Sequence, residues 1–118
     1  MMDTENLLSS TRILLVDDDD YLRSVLSSQL RNKGVLAFSE VARASEALDQ
    51  VDTFKPDLIL LATEFPDGNG FDICQRLRAR GFQKPIILLT VGEDEKDIVR
   101  GLDNGANDCI AKPMRFSE

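Results

Sequence analysis

The stretch ILLVDDDD, residues 13–20, runs four aliphatic residues directly into four consecutive aspartates. Two carboxylates about 4 Å apart repel by roughly 4 kcal/mol at an effective dielectric constant of about 20, so this charge needs a positive partner, a bound proton or more distance. A cation is the simplest partner, and Mg²⁺ typically binds one or two carboxylates together with water and phosphate oxygens. The stretch therefore predicts a buried strand that ends at an acidic cation site.

Two further apolar runs resemble the first, and none of the three alternates between apolar and polar residues. The three runs are RILLV (12–16), DLILLA (57–62) and PIILLT (85–90). Continuous apolar strands are typical of parallel sheets that are covered on both faces. Two weaker runs, VLAFS (35–39) and DCIA (108–111), bring the predicted number of strands to five.

Apolar residues at helical spacing fill the intervals between these runs. The four stripes are Leu22, Val25, Leu26 and Leu30; Ala44, Ala47, Leu48 and Val51; Phe71, Cys74 and Leu77; and Ile98, Val99 and Leu102. Gly34, Gly81 and Gly105 are placed to end three of these helices, and Asp94 is placed to cap the start of the fourth. The alternation of strands and helices predicts an α/β fold with an open, doubly wound parallel sheet, whose sites form outside the carboxyl ends of the strands.

Composition limits the classes of function. The 118 residues predict one domain, with 21 acidic and 14 basic side chains and a net charge of −7. No run of Lys or Arg offsets this charge, so we expect no direct contact with nucleic acid. The sequence has no histidine, which excludes Ser-His-Asp and Cys-His catalysis, histidine zinc sites and a phosphohistidine on this chain.

The two ends of the chain and its cysteines carry less information. Residues 1–11 predict a polar tail before a domain over 12–118, and no apolar run approaches the length of a membrane span, so we expect a cytoplasmic protein without membrane contact. Cys74 and Cys109 lie in no metal-binding spacing and are predicted to be packed thiols. The chain stops soon after its fifth strand, so we expect a missing last helix, an uncovered sheet face and self-association, such as a homodimer.

Four of the predicted strands should end side by side at one edge of the sheet. The residues at those ends are Asp17 with Asp18, then Ala62, then Thr90, then Lys112. An acid pair, a hydroxyl and an ammonium would suit a phosphoryl group, with the acids holding Mg²⁺ and the other two side chains binding phosphate oxygens.

This set resembles the CheY-like receiver domain of two-component response regulators. The resemblance covers about residues 12–116 and depends on ILLVDDDD, PDLILLATEFPDGNGFD (56–72), PIILLT and GANDCIAKP (105–113). It implies a flavodoxin-like sheet of order 2-1-3-4-5 flanked by five helices. It also implies a signalling module that takes a phosphoryl group from a histidine kinase or phosphotransfer protein and acts on an output domain or partner protein.

The resemblance implies a role for each site residue. Asp17 and Asp18 match the metal-binding acid pair, and the backbone carbonyl of Glu64 is a further metal ligand. Thr90 matches the switch hydroxyl, and Lys112 matches the phosphate-binding lysine, with a cis peptide bond between it and Pro113.

Two positions depart from the family pattern. Ala62 stands where the family has its phosphoacceptor aspartate, and a methyl group cannot be phosphorylated. The loss of that carboxylate also removes a metal ligand, so Mg²⁺ should bind more weakly. Cys109 stands at the second switch position, where the family usually has Tyr or Phe. We therefore expect a non-enzymatic receiver that acts through protein contacts, whether Ala62 is natural divergence or a deliberate Asp-to-Ala change.

Two other classes of protein remain open on the sequence. Asp17 and Asp19 form a DxD after an aliphatic strand, which resembles the acid pair of Mg²⁺-dependent haloacid-dehalogenase-like phosphatases. A flavodoxin-like FMN module would need a phosphate-binding loop after the first strand, where four aspartates would repel the ligand. Asp19 and Asp20 are predicted instead to cap and begin the first helix.

Overall fold

Five parallel strands form the centre of the fold in the computed structural model, which describes residues 4–92 and 94–112. These five are β1 (Arg12–Val16), β2 (Ala37–Val41), β3 (Leu58–Ala62), β6 (Ile86–Thr90) and β7 (Asp108–Ala111), and two short further strands are β4 (Glu64–Phe65) and β5 (Gly68–Asn69). The helices are α1 (Thr4–Ser10), α2 (Asp20–Asn32), α3 (Ala44–Phe54), α4 (Gly70–Ala79) and α5 (Glu95–Asp103). None of these helices, within the described part of the chain, is long and apolar enough to cross a membrane.

The five main strands lie in the order β2-β1-β3-β6-β7, and all neighbouring pairs are parallel. Numbered among themselves, they have the order 2-1-3-4-5, so the predicted topology is confirmed. β4 and β5 form a separate antiparallel hairpin after β3, and neither is among the five predicted strands.

The helices divide unequally between the two faces of the sheet. The chain travels from β1 through α2 to β2, and then reverses through α3 towards β3, β6 and β7. Because βαβ crossovers are right-handed, α2 lies on one face and α3, α4 and α5 lie on the other.

The main core lies between the sheet and α3, α4 and α5. The sheet contributes alternate residues to it: Leu14, Val16, Ile59, Leu61, Ile86 and Leu88. On the opposite face, Leu60 and Ile87 are half-buried and Ile110 is 48% exposed. The described residues therefore cover this second face less completely, as the sequence predicted.

Two helices begin at the capping aspartates that were predicted from the sequence. The side chain of Asp19 accepts a hydrogen bond from the backbone N–H of Leu22, which caps α2, and Asp20 is its first residue. Asp94 caps α5 by accepting from the backbone N–H of Lys96. Both interactions satisfy N–H groups that a helix leaves free at its start.

Within residues 1–11, which the sequence predicts as a tail, Thr4–Ser10 forms α1. The turn after it is closed by Thr11, which donates both its backbone N–H and its hydroxyl to carbonyls of α1. Gly34 leaves space beside Leu8, since a Cβ there would lie 3.8 Å from the Leu8 Cβ. The boundary at residue 12 stays a prediction.

The start of β2 and the burial of the α5 stripe differ from what the sequence suggests. β2 begins at Ala37 rather than residue 35, because Val35 is buried as a connecting residue and its N–H bonds the carbonyl of Leu30. The stripe of α5 is not all core, since Val99 is 56% and Leu102 is 48% exposed.

The contact of α5 with the sheet is made by Gly101. A Cβ at this position would lie 2.6 Å from the Cys109 Sγ and 2.7 Å from the Leu88 Cδ1. The close approach through a glycine directs Val99 and Leu102 away from the sheet. The predicted cis bond between Lys112 and Pro113 lies outside the described residues.

Candidate functional site

The register of the sheet brings the ends of four strands to one edge. Val16 pairs with Leu61, and Ala62 pairs with Leu89, so Asp17 and Ala62 are neighbours at the ends of β1 and β3. Thr90 pairs with Ala111, and the backbone N–H of Lys112 donates to the Thr90 carbonyl at 2.8 Å. The predicted convergence of these strand ends is therefore present.

The centre of this edge is an ion pair between Asp17 and Lys112. The Lys112 Nζ lies 3.2 Å from Oδ1 and 3.1 Å from Oδ2 of Asp17. Asp17 is fully buried, while the Lys112 side chain is 20% exposed. Asp17 Oδ1 also accepts from the backbone N–H of Asp19 at 3.0 Å. Both oxygens of the buried carboxylate thus lie near one ammonium group, but among the described residues only Oδ1 accepts a hydrogen bond, and Oδ2 is buried without one.

Ala62 lies fully buried beside this pair, and its methyl group belongs to the main core. The backbone around it is held by Gly70, whose N–H donates to the Thr63 carbonyl at 2.9 Å. A Cβ on Gly70 would lie only 2.0 Å from the Ala62 carbonyl oxygen. This close start of α4 against the end of β3 was not predicted from the sequence.

Thr90 is buried, but its hydroxyl is engaged by backbone rather than by the other site residues. Its Oγ1 donates to the carbonyl of Gly92 at 2.9 Å, with a longer contact of 3.5 Å to the carbonyl of Ile110. A threonine that ends a strand commonly bonds nearby backbone in this way. Its assignment as a switch hydroxyl stays a prediction.

The two remaining metal-ligand candidates lie at the rim. Asp18 is exposed and lines an open recess of about 400 Å³ with Arg43, Pro66 and Asp67. Glu64 is also exposed and pairs with Asn69 in the hairpin. In residues 4–92 and 94–112, no three acidic, cysteine or histidine side chains are arranged to hold a metal ion. The donor types match Mg²⁺, but the Asp17 oxygens already contact Lys112, so a metal ion would have to compete with the ammonium group for this carboxylate.

Arg23 was not singled out in the sequence, yet it reaches the same acidic segment. Its guanidinium donates to the backbone carbonyl of Asp17 at 2.5 Å and forms an ion pair with Asp20, one turn earlier on α2. A longer contact of 3.5 Å joins it to Glu40 on β2. The signal available in the sequence was the position of Arg23 three residues after Asp20 on the predicted helix, a spacing at which opposite charges can pair.

The carboxylate of Asp67 caps α3, a helix that precedes it in the chain. It accepts from the backbone N–H groups of Ala44 and Ser45, both at 3.1 Å. The Ser45 N–H is the main cause that lowers the pKa of Asp67 below its ordinary 3.8, because the bond favours the charged form. α3 has no side-chain cap of its own at Arg43, so the hairpin supplies it.

The two cysteines are free thiols in the packed region, as predicted. Burial raises the pKa of Cys74, and burial followed by Asp108 and Asp97 raises the pKa of Cys109. The Cys109 Sγ is 3.8 Å from the Ile98 carbonyl, within a weak hydrogen bond. At Cys74 the positive charge of Arg78 lowers the pKa, but burial outweighs it, so neither thiol is activated.

Asp19 does not present its carboxylate as the second acid of a phosphatase pair. It accepts from the Leu22 N–H and so caps α2. The geometry at the start of α2 therefore gives no support to the phosphatase alternative. The similar proteins are response regulators, so they support neither a phosphatase nor an FMN module.

Comparison with known proteins agrees with this geometry. The family model described as the response regulator receiver domain matches residues 13–118. The DNA-binding response regulator MtrA of Mycolicibacterium smegmatis is 41% identical over 107 residues, which are 91% of this chain and 46% of that protein. The transcriptional regulatory protein AfsQ1 of Streptomyces coelicolor is 39% identical over 103 residues, or 87% of this chain and 45% of that protein.

A solved structure is similar over nearly its whole length. The crystal structure of a putative response regulator from Chloroflexus aurantiacus has a TM-score of 0.82 and 33% identity, covering 89% of this chain and 87% of that one. The chain spans about half the length of the curated relatives it matches. From its family match, its sheet order and these relatives, the chain belongs to the response regulator receiver domains, the signalling modules of two-component systems.

Proposed function

We propose that this chain is a receiver whose regulatory contacts do not depend on phosphorylation at residue 62. The observation that carries the proposal is Ala62 at the carboxyl end of β3, next to the buried Asp17. A methyl group offers no oxygen to attack a phosphoryl donor. A histidine kinase or phosphotransfer protein would therefore be a productive partner only for a form with an acceptor at this position.

The remaining site residues keep defined roles in this proposal. Asp17, Asp18 and the carbonyl oxygen of Glu64 are the groups that would hold Mg²⁺, with lower affinity than in a receiver with a third acid. Thr90 and Lys112 would bind phosphate oxygens in such a receiver. When bound, the metal would neutralise charge on a phosphoryl group. Cys109 would occupy the second switch position, where its side chain is too small for the steric role of the Tyr or Phe that the family usually has there.

A direct test is to introduce an acceptor and ask whether the site becomes competent. Ala62→Asp, Ala62→Asn and the unchanged protein would be incubated with acetyl phosphate and Mg²⁺, and intact mass would be measured. We expect one added phosphoryl group on Ala62→Asp alone, because asparagine matches the size of aspartate but lacks the nucleophile. A phosphoryl group on the unchanged protein would contradict the proposal.

The contact surface we propose is the α5 patch, formed by Val99 and Leu102. These side chains are about half exposed and lie at the β7 edge of the sheet, where α5 packs against that strand. Exposed residues of both signs surround them on α5: Glu95, Lys96, Arg100 and Asp103. An apolar patch with mixed charges is self-complementary across a two-fold axis, so we propose a second copy of this chain as its occupant.

This homodimer has its own test. Leu102→Glu should shift the protein towards monomer in light scattering across a concentration series. Leu36→Glu is the matched control, because Leu36 is 75% exposed beside β2, at the opposite edge of the sheet. Association that is lost equally in both variants, or a monomeric unchanged protein at high concentration, would count against the patch.

An output domain or partner protein is the other contact that we propose. The curated relatives are named as DNA-binding and transcriptional regulators, and this chain matches about half of each. For the residues of this chain we propose protein rather than nucleic-acid contacts, because its net charge is −7.

A further inference from the structure

The Asp17 carboxylate is the most deeply buried charge at the strand-end edge, and one cation neutralises it. Asp17 has no exposed surface, and its two oxygens lie 3.2 and 3.1 Å from the Lys112 Nζ. Arg23 approaches the same residue only at its backbone carbonyl. The side-chain charge of Asp17 is therefore balanced by Lys112.

A divalent cation at this edge would need the oxygens that Lys112 already contacts. Mg²⁺ binds carboxylate oxygens at about 2.0–2.1 Å, whereas the ammonium group sits just over 3 Å from the same atoms. Two cations on one carboxylate repel strongly in a poorly solvated site. Binding of the metal therefore requires that the ammonium group move away.

The neighbouring strand offers Lys112 no other acid. Residue 62 lies next to Asp17 at the end of β3, and its alanine carries no charge that could hold the ammonium group elsewhere. Asp18 is the adjacent acid in sequence, but it is exposed and lines the recess with Arg43. Asp17 is consequently the one strongly desolvated acid that Lys112 contacts in the described residues.

We propose that Lys112 takes the place of the divalent cation, so that an internal ion pair closes the site against metal. The inference deepens the proposed function and rests on it only for the absence of an acid at residue 62. It makes a separate claim, that the side chain that excludes the metal is Lys112. The site would then keep one electrostatic state whether or not Mg²⁺ is present.

The test uses Mn²⁺ as a spectroscopic stand-in for Mg²⁺. Free Mn²⁺ would be measured by electron paramagnetic resonance during titration of the unchanged protein, Lys112→Met and Lys84→Met. Lys84 is exposed and precedes β6, at the opposite end of the strands, so its replacement changes net charge equally but away from the site. Mg²⁺ would then be added to displace Mn²⁺.

We expect Lys112→Met to bind Mn²⁺ at least tenfold more tightly than the unchanged protein, with Mg²⁺ as a competitor, and Lys84→Met to bind no more than about twofold more tightly. Lys112→Arg keeps the charge and should remain weak. Equal affinity in Lys112→Met and the unchanged protein, or an equal gain in Lys84→Met, would overturn the proposal. No acetyl phosphate is used, so this result is independent of whether Ala62→Asp accepts a phosphoryl group.

Removal of the ammonium group leaves a buried carboxylate unpaired, which can unfold a protein. Lys112→Gln is therefore the second neutral variant, since its amide can still donate to Asp17. Circular dichroism would be recorded with chelator and with Mg²⁺. A neutral variant that folds only when Mg²⁺ is added supports the proposal, whereas neutral variants that stay unfolded in both conditions count against it.

Discussion

Asp67 and Ala44 are joined by a 3.1 Å hydrogen bond between the β4–β5 hairpin and the first residue of α3. The second carboxylate oxygen accepts from the next N–H of the same helix, at Ser45. The N-cap residue of α3, Arg43, makes no side-chain capping bond. The helix is capped instead by Asp67, which lies 23 residues after Ala44 and 22 residues after Ser45 in the chain. The hairpin that follows β3 is thereby tied to α3.

Replacement of Asp67 should lower the stability of the protein. Asp67→Ala removes both acceptors, whereas Asp67→Asn keeps one, so the urea midpoint should fall further for alanine than for asparagine. Equilibrium urea unfolding by circular dichroism measures both. Asp49→Ala on the exposed side of α3 is the control, since none of the described contacts of Asp49 uses its side chain as an acceptor.

The same contact should depend on pH in a defined direction. The pKa of Asp67 is lowered in the folded protein, chiefly by the Ser45 N–H, so this group stabilises the fold above its ordinary pKa of 3.8 and loses that effect as pH falls through the lower folded value. The difference in urea midpoint between the unchanged protein and Asp67→Asn should be constant from pH 5 to 7 and shrink below about pH 4. A difference that grows towards acid pH would contradict this account.

Gly70→Ala should be strongly destabilising. The added methyl group would lie 2.0 Å from the Ala62 carbonyl oxygen and 2.9 Å from its carbon, so either α4 or the end of β3 must move. Overpacking against backbone costs about 3 kcal/mol, and the displaced strand end carries residue 62 of the candidate site. Thermal and urea unfolding measure the loss.

Gly68→Ala is the matched control for Gly70→Ala. Its Cβ would lie 3.2 Å from the Ala44 Cβ, which a small shift of the hairpin relieves. We expect a cost within about 1 kcal/mol. Equal effects of the two substitutions would show that the contact with Ala62 is not what makes glycine necessary at residue 70.

The sheet was predictable from sequence because its signal is local. RILLV and DCIA have the bounds of β1 and β7, since each run of apolar residues is bordered by polar or turn residues. β2 was displaced because Val35 and Leu36 look like strand residues, although one is buried in the connection after α2 and the other is 75% exposed. Hydrophobicity alone does not distinguish a connecting residue that packs from a strand residue.

Which residues lie at the candidate site was predictable from the sequence, but the contacts between their side chains were less so. Strand ends fixed the neighbourhood of Asp17, Ala62 and Lys112, because parallel strands in this order must end together. The direct pairing of Lys112 with both Asp17 oxygens was not predicted, since it depends on side-chain conformations. The contact between Asp67 and α3 is a tertiary capping bond, which no local capping pattern reveals.

The cysteine thiols should react slowly and in a defined order. The pKa values of both are raised, first by burial, so little thiolate is present near pH 7. Cys109 is half-buried whereas Cys74 is fully buried, so iodoacetamide should modify Cys109 first. Peptide mass spectrometry over a pH series would show both rates rising above about pH 9, and in urea the two rates should converge. Faster modification of Cys74 in the folded protein would be inconsistent with its burial.

Arg78 should be the arginine of α4 on which stability depends. Its guanidinium donates to the carbonyls of Gly105, Phe82 and Lys84 at 2.7–2.9 Å and to the side chain of Asn107. It thereby joins the end of α4 to the turns before β6 and β7. Arg78→Ala leaves these acceptors without their charged donor, and we expect a loss of about 1.5–3 kcal/mol in the free energy of unfolding.

Arg76→Ala, on the same helix, is the control for this prediction. Arg76 is largely exposed and contacts Asp72 one turn earlier at 3.1 Å, a surface pair worth about 0.3–0.5 kcal/mol. Arg78→Lys should recover only part of the loss, because an ammonium group lacks the planar fork that reaches several carbonyls at once. Urea unfolding of the three variants would decide the matter: a loss in Arg78→Ala no larger than in Arg76→Ala would mean that the network around the β6 and β7 turns contributes little to stability.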